Sequence, residues 1–356
     1  MQLAPNSAEP SSSLQYPIPD LPAAGVVTQV SAGVFWVRMP LPFALEHINL
    51  WLLEDGAGWT IVDCGLGTDT TRALWERIFA GGLDDRAVRR LIVTHCHPDH
   101  IGLAAWLCEK FRLKPCMTYS EYMHAHGVYQ RFGGADHVAL HALHQRHGLD
   151  GARLDALRSR ADHYRRGVPT LPNAFARIKH EQQIVVGENS WRVIVGHGHS
   201  PEHAALYCEN LGVLISGDML LPRISTNVSV WPMEPDGDPL GEFLTSLEHF
   251  SELPADTLVL PSHGLPFRGM HSRITALNQH HRTRLDKLIE VCELPSSAAE
   301  VLPQLFERDF DGYHLVFAMG EAIAHLNHLM HRGVLQRTEN PDGVHRFVRR
   351  FLMAKR

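Results

Sequence analysis

The chain has 356 residues, of which 44% are hydrophobic and 20% charged, and its formal net charge is −6 at pH 7. This length predicts one large domain with a smaller appendage, and the composition is that of a soluble globular protein. The acidic balance excludes a general attraction to nucleic acid, and the absence of a long apolar run leads us to expect no membrane partner. Residues 1–25 lack the basic start and apolar stretch of a secretory signal, so they are predicted to form a flexible arm on a cytoplasmic protein.

The first predicted elements are strands. Apolar runs broken by turns predict strands over residues 34–64, with a hairpin turn at residues 55–58. A helix follows, with Asp69 or Thr70 as its N-cap. The run Arg-Arg-Leu-Ile-Val-Thr then predicts a buried strand that leads directly into a histidine motif. Pro98 suits the first turn of the next helix, where its missing N–H costs nothing.

Residues 120–166 are predicted to be a helical insertion, and they contain seven histidines. The insertion is either a lid over a substrate pocket or, as the commoner alternative, a set of helix faces exposed to solvent. Strand patterns resume at about residues 183–217, followed by a helix at 240–252, a strand in Thr-Leu-Val-Leu-Pro and a long helix at 272–292. Strands and helices in this order predict an α+β fold in which sheet packs on sheet with helices outside.

The last 60 or so residues have a different pattern. Two helices and two short strands around residues 340–343 predict a winged-helix appendage at 294–356, after a catalytic domain at 26–293. A local basic excess near the C-terminus indicates nucleic-acid contact as one role for this tail. The basic residues are Arg332, Arg337, Arg346, Arg349, Arg350, Lys355 and Arg356, against Glu339 and Asp342.

Histidine and cysteine usage bear on metal chemistry. The six cysteines are scattered without a Cys-x-x-Cys pair, which indicates reduced thiols rather than a disulfide framework. Histidine is the outlier of the composition at 25 residues, against 7 Trp and 7 Tyr. Because neutral imidazole is the commonest protein metal ligand, this excess favours a metal site.

The run Thr-His-Cys-His-Pro-Asp-His at residues 94–100 lies at a predicted strand-to-helix junction. In an extended segment, side chains two residues apart point the same way, so His95 and His97 can bind one metal ion. Once the chain turns into the helix, Asp99 and His100 are directed toward a second ion. Four potential ligands within six residues predict a metal site rather than a surface histidine cluster.

Three later segments each offer one further ligand at the end of a predicted strand. His199, in Gly-His-Gly-His-Ser-Pro-Glu-His, completes three imidazoles on the first ion. Asp218 follows Leu-Ile-Ser-Gly and can bridge two ions, because a carboxylate offers two oxygens. His263, in Pro-Ser-His-Gly, completes the second site. The two histidines beside His199, which are His197 and His203, are predicted to be structural or to support the ligands without binding metal.

This ordered set resembles the signature of the metallo-β-lactamase superfamily, over roughly residues 26–293. The resemblance implies a four-layer αβ/βα sandwich with two metal ions at the upper edge between two sheets. The ligands that it implies are His95, His97, Asp99, His100, His199, Asp218 and His263. Val-Asp-Cys-Gly matches the family's Val-Asp-x-Gly, whose aspartate, here Asp63, supports the ligand loop. The tail resembles the winged-helix domain of the branch that includes glyoxalase II-like thioesterases and a metal-dependent endoribonuclease.

Two departures from the family pattern matter. Glu202 replaces the second glycine of Gly-His-[Ser/Thr]-Pro-Gly-His, which puts the local turn in question. Asp218 is followed by Met-Leu-Leu-Pro-Arg, without the tyrosine of the acyl-homoserine lactonases, which weakens a lactonase function. The basic glutathione-binding residues of glyoxalase II also have no match here.

The predicted activity is hydrolysis by a hydroxide that bridges two divalent metal ions, most simply zinc, with iron or manganese as alternatives. Asp218 and Asp99 are the candidate catalytic residues, the first bridging the ions and the second orienting the hydroxide. The first substrate hypothesis is a thioester or ester of a small acyl compound, such as an acyl-CoA. Arg223 is the candidate for binding an anionic group of that substrate, with a surface or structural arginine as the alternative.

Two other functions remain open from the sequence. One is an endoribonuclease or other phosphodiesterase that holds nucleic acid with the basic tail. The other is a non-catalytic, metal-dependent nucleic-acid-binding or sensing protein. Winged-helix domains also serve as packing or dimer modules, so a homodimer is a further alternative for the tail.

Overall fold

The computed structural model describes residues 14–42, 45–81, 83–84, 86–158, 163–306 and 312–350. Most of the predicted arm, together with Lys355 and Arg356, lies outside these residues. The chain forms two compact units. The first unit comprises Met1–Tyr129, Asp162–Thr226 and Ser246–Ile274, and the second comprises Gln130–Ala161, Asn227–Thr245 and Thr275–Arg356. The predicted domain boundary at residues 293 and 294 stays a prediction.

The first unit contains a seven-stranded sheet whose strands follow one another in chain order. The strands are β1 (Val27–Ser31), β2 (Val34–Pro40), β3 (His47–Asp55), β4 (Gly58–Val62), β5 (Ala87–Ile92), β6 (Pro115–Met117) and β7 (Ala176–Arg177). Pairing is antiparallel from β1 to β4 and parallel from β4 to β7. Asp55 pairs with Gly58, so the predicted hairpin turn lies where the sequence indicated.

A five-stranded sheet, in the order β12-β11-β10-β9-β8, packs against the first one. Its strands are β8 (Gln183–Val186), β9 (Asn189–Gly196), β10 (His203–Cys208), β11 (Val213–Gly217) and β12 (Leu258–Pro261). Between the sheets, Trp36 and Trp51 of the first sheet lie in one buried apolar cluster with Val193, Leu206 and Leu260 of the second. This burial of two apolar faces confirms the predicted packing of sheet on sheet.

Helices cover the other face of the first sheet. Trp75 and Leu107, from two helices, pack with the strand residues Val37, Leu50 and Ile61 in a second buried cluster. The helices that contribute residues to this cluster, and that complete the predicted α+β sandwich, are α1 (Asp69–Gly81), α2 (Pro98–Ile101), α3 (Ala104–Phe111), α4 (Tyr119–Gln130) and α7 (His163–Gly167). The other helices of the described residues before the C-terminal part are α5 (His137–Arg146), α6 (Gly151–Arg158), α8 (Pro239–Ser251) and α9 (Met270–Val291). Pro98 occupies the first turn of α2, as predicted. No helix among the described residues is both long enough and apolar enough to span a bilayer.

The C-terminal part of the second unit has two helices followed by a hairpin, in the predicted order. These elements are α10 (Ala298–Leu305), α11 (Gly312–His331), β13 (Leu335–Glu339) and β14 (His345–Arg349). Three arginines of the basic excess form ion pairs within this unit: Arg337 with Asp236 at 2.5 Å, Arg346 with Glu300 at 2.8 Å and Arg349 with Glu293 at 3.5 Å. The winged-helix interpretation and the nucleic-acid role of the tail stay predictions.

Two histidines of the helical insertion correct an expectation. Solvent-exposed helix faces were the commoner alternative for this segment, but His144 and His147 are fully buried in the second unit. Burial lowers the pKa of His144 to about 4 and that of His147 to about 3. The ring of His147 lies 5.1 Å from that of His345, and its carbonyl accepts a hydrogen bond from Ala299 N–H. The prediction of solvent exposure is therefore wrong for these two residues, because their neutral side chains pack inside the unit.

Candidate metal centre

The seven predicted ligands follow four strands of the first unit, at the point where each strand ends. The motif of residues 94–100 follows β5, and the other three segments follow β9, β11 and β12. A hydrogen bond of 2.9 Å from Ala204 N–H to Thr94 O joins the first of these strand ends to the second sheet. The sheets therefore bring together residues that are up to 168 positions apart, from His95 to His263.

Four of the seven side chains form a first cluster that could hold a metal ion: His95, His97, His199 and Asp218. His95 Nε2 lies 2.8 Å from His97 Nδ1 and 3.3 Å from His199 Nε2. Asp218 Oδ2 lies 3.4 Å from His199 Nε2. All four ligand atoms lie within 4.8 Å of one another. The two residues flanking Cys96 thus face the same point, as the extended backbone predicts.

A second cluster contains the other three predicted ligands, Asp99, His100 and His263. Asp99 Oδ2 lies 3.5 Å from His263 Nε2 and 3.9 Å from His100 Nε2. Asp218 faces this cluster as well, because its Oδ1 lies 3.6 Å from His100 Nε2 and 3.5 Å from His263 Nε2. The two oxygens of one buried carboxylate therefore point to two separate imidazole groups.

The protonation states of the histidines and the nearby carboxylates favour the binding of a cation. Burial, followed by the neighbouring imidazoles, lowers the pKa of His95 and of His97 well below the usual range, so both are neutral. Burial also opposes charge on His100, but Asp63, Asp218 and Asp99 outweigh it and raise its pKa well above the usual value. Neutral imidazoles and a concentration of carboxylates are the electrostatic conditions of a site for a divalent ion.

The donor atoms fit such an ion. Among the described residues, His100 Nε2, Asp218 Oδ1 and His263 Nε2 are buried without a hydrogen-bond partner. Unpartnered buried polar atoms are costly unless something binds them. Ligand atoms at tetrahedral corners, roughly 2.0–2.1 Å from a zinc ion, lie about 3.3 Å apart, which is close to the separations in both clusters.

The outer nitrogens of three histidines are held by hydrogen bonds that set their tautomers. His95 Nδ1 lies 3.0 Å from Thr94 Oγ1, His100 Nδ1 lies 2.8 Å from Asp63 Oδ2, and His263 Nδ1 donates to His47 O at 2.9 Å. In each ring Nε2 is therefore the atom that faces its cluster, and a metal ion would bind there in place of a proton.

Asp63, the predicted supporting residue, holds the motif at two further atoms. Its Oδ1 accepts from Thr94 N–H at 2.7 Å and its Oδ2 from the Thr94 hydroxyl at 2.8 Å. Its φ of 62° lies in the left-handed region, which a non-glycine residue adopts at a cost. The three hydrogen bonds to Thr94 and His100 offset that strain.

Comparison with known proteins decides the family. The model of the metallo-beta-lactamase superfamily matches residues 44–263, and that of the metallo-beta-lactamase-like C-terminal domain matches residues 285–350. The chain belongs to the metallo-beta-lactamase superfamily. Among its relatives, the probable metallo-hydrolase YqjP of Bacillus subtilis (strain 168) is 26% identical over 302 residues, which cover 83% of this chain and 91% of that protein.

Two solved structures of the superfamily are similar over nearly the whole chain. A beta-lactamase domain protein from Burkholderia ambifaria is 48% identical, with a TM-score of 0.89 and coverage of 96% of this chain and 99% of that one. A metallo-beta-lactamase family protein from Thermus thermophilus is 30% identical, with a TM-score of 0.75 and coverage of 90% and 99%. The resemblance inferred from the motifs is confirmed, and the chain is a metallo-hydrolase of this superfamily, whose members typically bind divalent metals.

Glu121, on α4, is a residue of the metallo-hydrolase site that sequence reasoning missed. It is fully buried, and its carboxylate accepts one hydrogen bond from each of two ligand loops, the one of residues 94–100 and the one that carries His199. Oε2 accepts from Cys96 N–H at 2.8 Å, and Oε1 accepts from Glu202 N–H at 2.7 Å. The only signal was an acidic residue in the first turn of a helix, which is common and carries no indication of such a contact.

Glu202, the departure from the superfamily pattern, has a structural explanation. Its Oε2 accepts from Ser120 N–H at 2.9 Å, and its backbone carbonyl accepts from the Thr118 hydroxyl at 2.8 Å. The side chain therefore caps the N-terminal end of α4, where unpaired N–H groups favour a carboxylate. The turn in question is held in place by the same helix that carries Glu121.

His203 and Arg223 differ in their relation to the metal clusters. His203 Nε2 accepts from Asp218 N–H at 3.1 Å, and burial followed by the nearby His199 lowers the pKa of His203 to about 3, so the ring stays a neutral acceptor. This contact agrees with the structural role predicted for it. Arg223 is exposed, with its guanidinium 5.8 Å from the centroid of the Tyr16 ring, and its substrate role stays a prediction.

We expect Glu121→Gln to weaken metal binding by about 10–100-fold, because the amide presents only one acceptor to two N–H groups and so misplaces one ligand loop. The free energy of unfolding should fall by about 1–3 kcal/mol through the unsatisfied buried group. Metal affinity is measured by competition with a chromogenic chelator and stability by urea unfolding. Glu109→Gln, an exposed position on α3, is the matched control. Equal metal affinity in the two variants would show that Glu121 does not position the loops.

Proposed function

We propose that the chain hydrolyses a thioester or ester of a small acyl compound with two divalent metal ions. His95, His97 and His199 would hold one ion, and Asp99, His100 and His263 the other. Asp218 carries the proposal, since its two oxygens lie 3.4 Å from an imidazole of one group and 3.5 Å from an imidazole of the other. Zinc suits the imidazole-rich donor set, with iron or manganese as alternatives.

Bound divalent ions would lower the pKa of a water molecule toward about 7 and would polarise the scissile carbonyl. The protein side chains orient the reactants. Asp99 has 17% of its side chain exposed, against 8% for Asp218, so it is the carboxylate that can accept a hydrogen bond from an attacking water. His203 Nε2 accepts a hydrogen bond from Asp218 N–H and so holds the backbone of Asp218, whose oxygens face the two imidazole groups.

Two observations support an acyl substrate over a nucleic acid. The chain as a whole is acidic, and Arg337, Arg346 and Arg349 of the basic tail are already in ion pairs. A thiol leaving group, with a pKa near 8.5, also departs with little help from an acid. That property suits a site in which His95 and His97 are neutral.

The experiment is a substrate panel on the purified protein together with elemental analysis. We expect about two equivalents of metal per chain, with an acyl thioester or ester hydrolysed fastest among thioester, ester, lactone, phosphodiester and β-lactam substrates. Chelation should reduce kcat/KM by at least about 100-fold, and added zinc should restore it. Preferential cleavage of RNA, with strongly salt-dependent binding, would instead favour the phosphodiesterase hypothesis. Salt-dependent nucleic-acid binding without turnover of any substrate would favour the sensing protein.

A further inference from the structure

A cavity of about 370 Å³ lies in the first unit, beside the loop that carries His199. We call it the basic pocket. The titratable side chains that line it are Arg177, Lys179, His180, His197, His249 and Glu202. The volume lies within the range of small-molecule sites. Two permanent cations and three imidazoles thus face a single carboxylate.

That carboxylate does not neutralise the basic pocket. Glu202 Oε2 accepts a hydrogen bond from Ser120 N–H at 2.9 Å, at the N-terminal end of α4. Its charge is therefore already stabilised by a helix terminus. Glu181, the acid next to His180 in the chain, is likewise engaged, because Arg192 binds it at 2.8 Å.

The two cations of the pocket have no such partner. Within the described part of the chain, neither Arg177 nor Lys179 has a carboxylate at ion-pair distance. The Arg177 guanidinium lies 5.3 Å from the centroid of the Tyr119 ring, which orients the group without neutralising it. Both side chains are exposed to solvent.

One imidazole, that of His180, adds a hydrogen-bond donor, whereas His197 already donates its Nδ1–H to Pro201 O at 2.7 Å. His180 Nδ1 accepts from Val195 N–H at 3.0 Å, so the proton of the neutral ring is on Nε2. The His249 ring lies 5.3 Å from that of His180. Glu181 Oε1 lies 3.7 Å from His180 Nε2, but among the described side chains neither Glu181 nor Glu202 pairs with Arg177 or Lys179. These two unpaired cations at one cavity form an electrostatic site for an anion.

We propose that the basic pocket binds a phosphate group carried by the substrate, on the part that leaves with the thiol or alcohol. This inference rests on the proposed function. A phosphate monoester has about two negative charges and three acceptor oxygens, which match two cations and several N–H donors better than a single carboxylate does. Only Gly198 separates His197, in the pocket wall, from the candidate ligand His199. One loop therefore contributes to both the pocket and the first metal cluster.

The first test is direct binding of inorganic phosphate to the purified metalloprotein, measured by calorimetry. The variant is R177Q/K179Q, and the matched control is R72Q/K110Q. In the control pair, an exposed arginine and lysine lie 5.6 Å and 5.7 Å from the Trp106 ring, in the same kind of contact as Arg177 on Tyr119. We expect the Kd for phosphate to rise at least about 10-fold in R177Q/K179Q and to stay unchanged in the control. An equal Kd in all three proteins would overturn the proposal.

The second test separates free phosphate from phosphate on the substrate. Acetyl-CoA, which has phosphates, is compared with the acetyl thioester of N-acetylcysteamine, which has the same reacting bond and no phosphate. R177Q/K179Q should raise KM for acetyl-CoA about 10-fold and leave kcat, and both constants for the truncated thioester, unchanged. If R177Q/K179Q loses phosphate binding but hydrolyses both thioesters with the kcat and KM of the wild type, the pocket binds free phosphate and the substrate assignment is overturned. If neither a thioester nor an ester is hydrolysed although R177Q/K179Q loses phosphate binding, the pocket stands and the proposed function fails.

Discussion

Replacing Asp218 with asparagine is expected to leave about one equivalent of metal per chain and to reduce kcat/KM on the order of 10³-fold. The amide has a single oxygen, so it can face either His199 or the pair His100 and His263, which now lie 3.4–3.6 Å from the two carboxylate oxygens. The other group then faces an NH₂ that cannot bind a cation. Two ions together stabilise the developing charge of the transition state by several kcal/mol. Each 1.4 kcal/mol is about a tenfold change in rate.

Elemental analysis and steady-state kinetics on the best substrate of the panel measure both effects. Asp236→Asn is the control, because Asp236 is an exposed aspartate that pairs with Arg337 in the second unit. It should retain full metal and activity. An Asp218→Asn protein with two equivalents of metal and unchanged kinetics would remove the shared ligand from the proposal.

The second large effect is expected for Gly217→Ala. Gly217 has a φ of 55°, and a Cβ at this position would lie 2.2 Å from His203 Nε2. His203 would have to move, and it would no longer accept the hydrogen bond from Asp218 N–H. We expect a loss of roughly 2–5 kcal/mol in the free energy of unfolding, from the left-handed backbone and from overpacking, together with loss of metal.

Gly212→Ala separates these two causes. Gly212 has a similar φ of 60°, but a Cβ there would meet nothing within 4 Å. This control should therefore lose only the backbone part, about 1 kcal/mol, and keep its metal. Urea unfolding and metal content are measured for both variants. Similar values for the two alanine variants would mean that contact with His203 does not maintain the site.

The sequence was informative about the centre because its ligands form local patterns. His95 to His100 form one short run, and each of the other three candidates lies within three residues of the end of an apolar strand. Strand ends are where parallel and mixed sheets gather polar side chains, so the convergence of these segments followed once the strands were predicted. The same strand pattern was enough for the α+β sandwich, which the structure confirms.

The contacts that hold the ligands could not be predicted in the same way. Glu121 accepts hydrogen bonds from backbone N–H groups that are 25 and 81 residues away, and a backbone donor carries no residue-specific signal. His144 and His147 show a related limit: histidine is compatible with both a core and a surface, so helical periodicity does not decide between them. The cations of the basic pocket come from a two-residue strand and its neighbours, which the sequence did not indicate as a strand.

The position of Glu121 has a consequence for motion. The carboxylate of Glu121 accepts hydrogen bonds from both Cys96 N–H and Glu202 N–H. When one loop opens, its hydrogen bond to the carboxylate breaks. The carboxylate is then less well oriented for the hydrogen bond to the second loop. The two loops therefore form one cooperative opening unit, and their amides should exchange with solvent deuterium at similar free energies of opening. A substrate that binds one loop would in this way make the opening of the other less frequent.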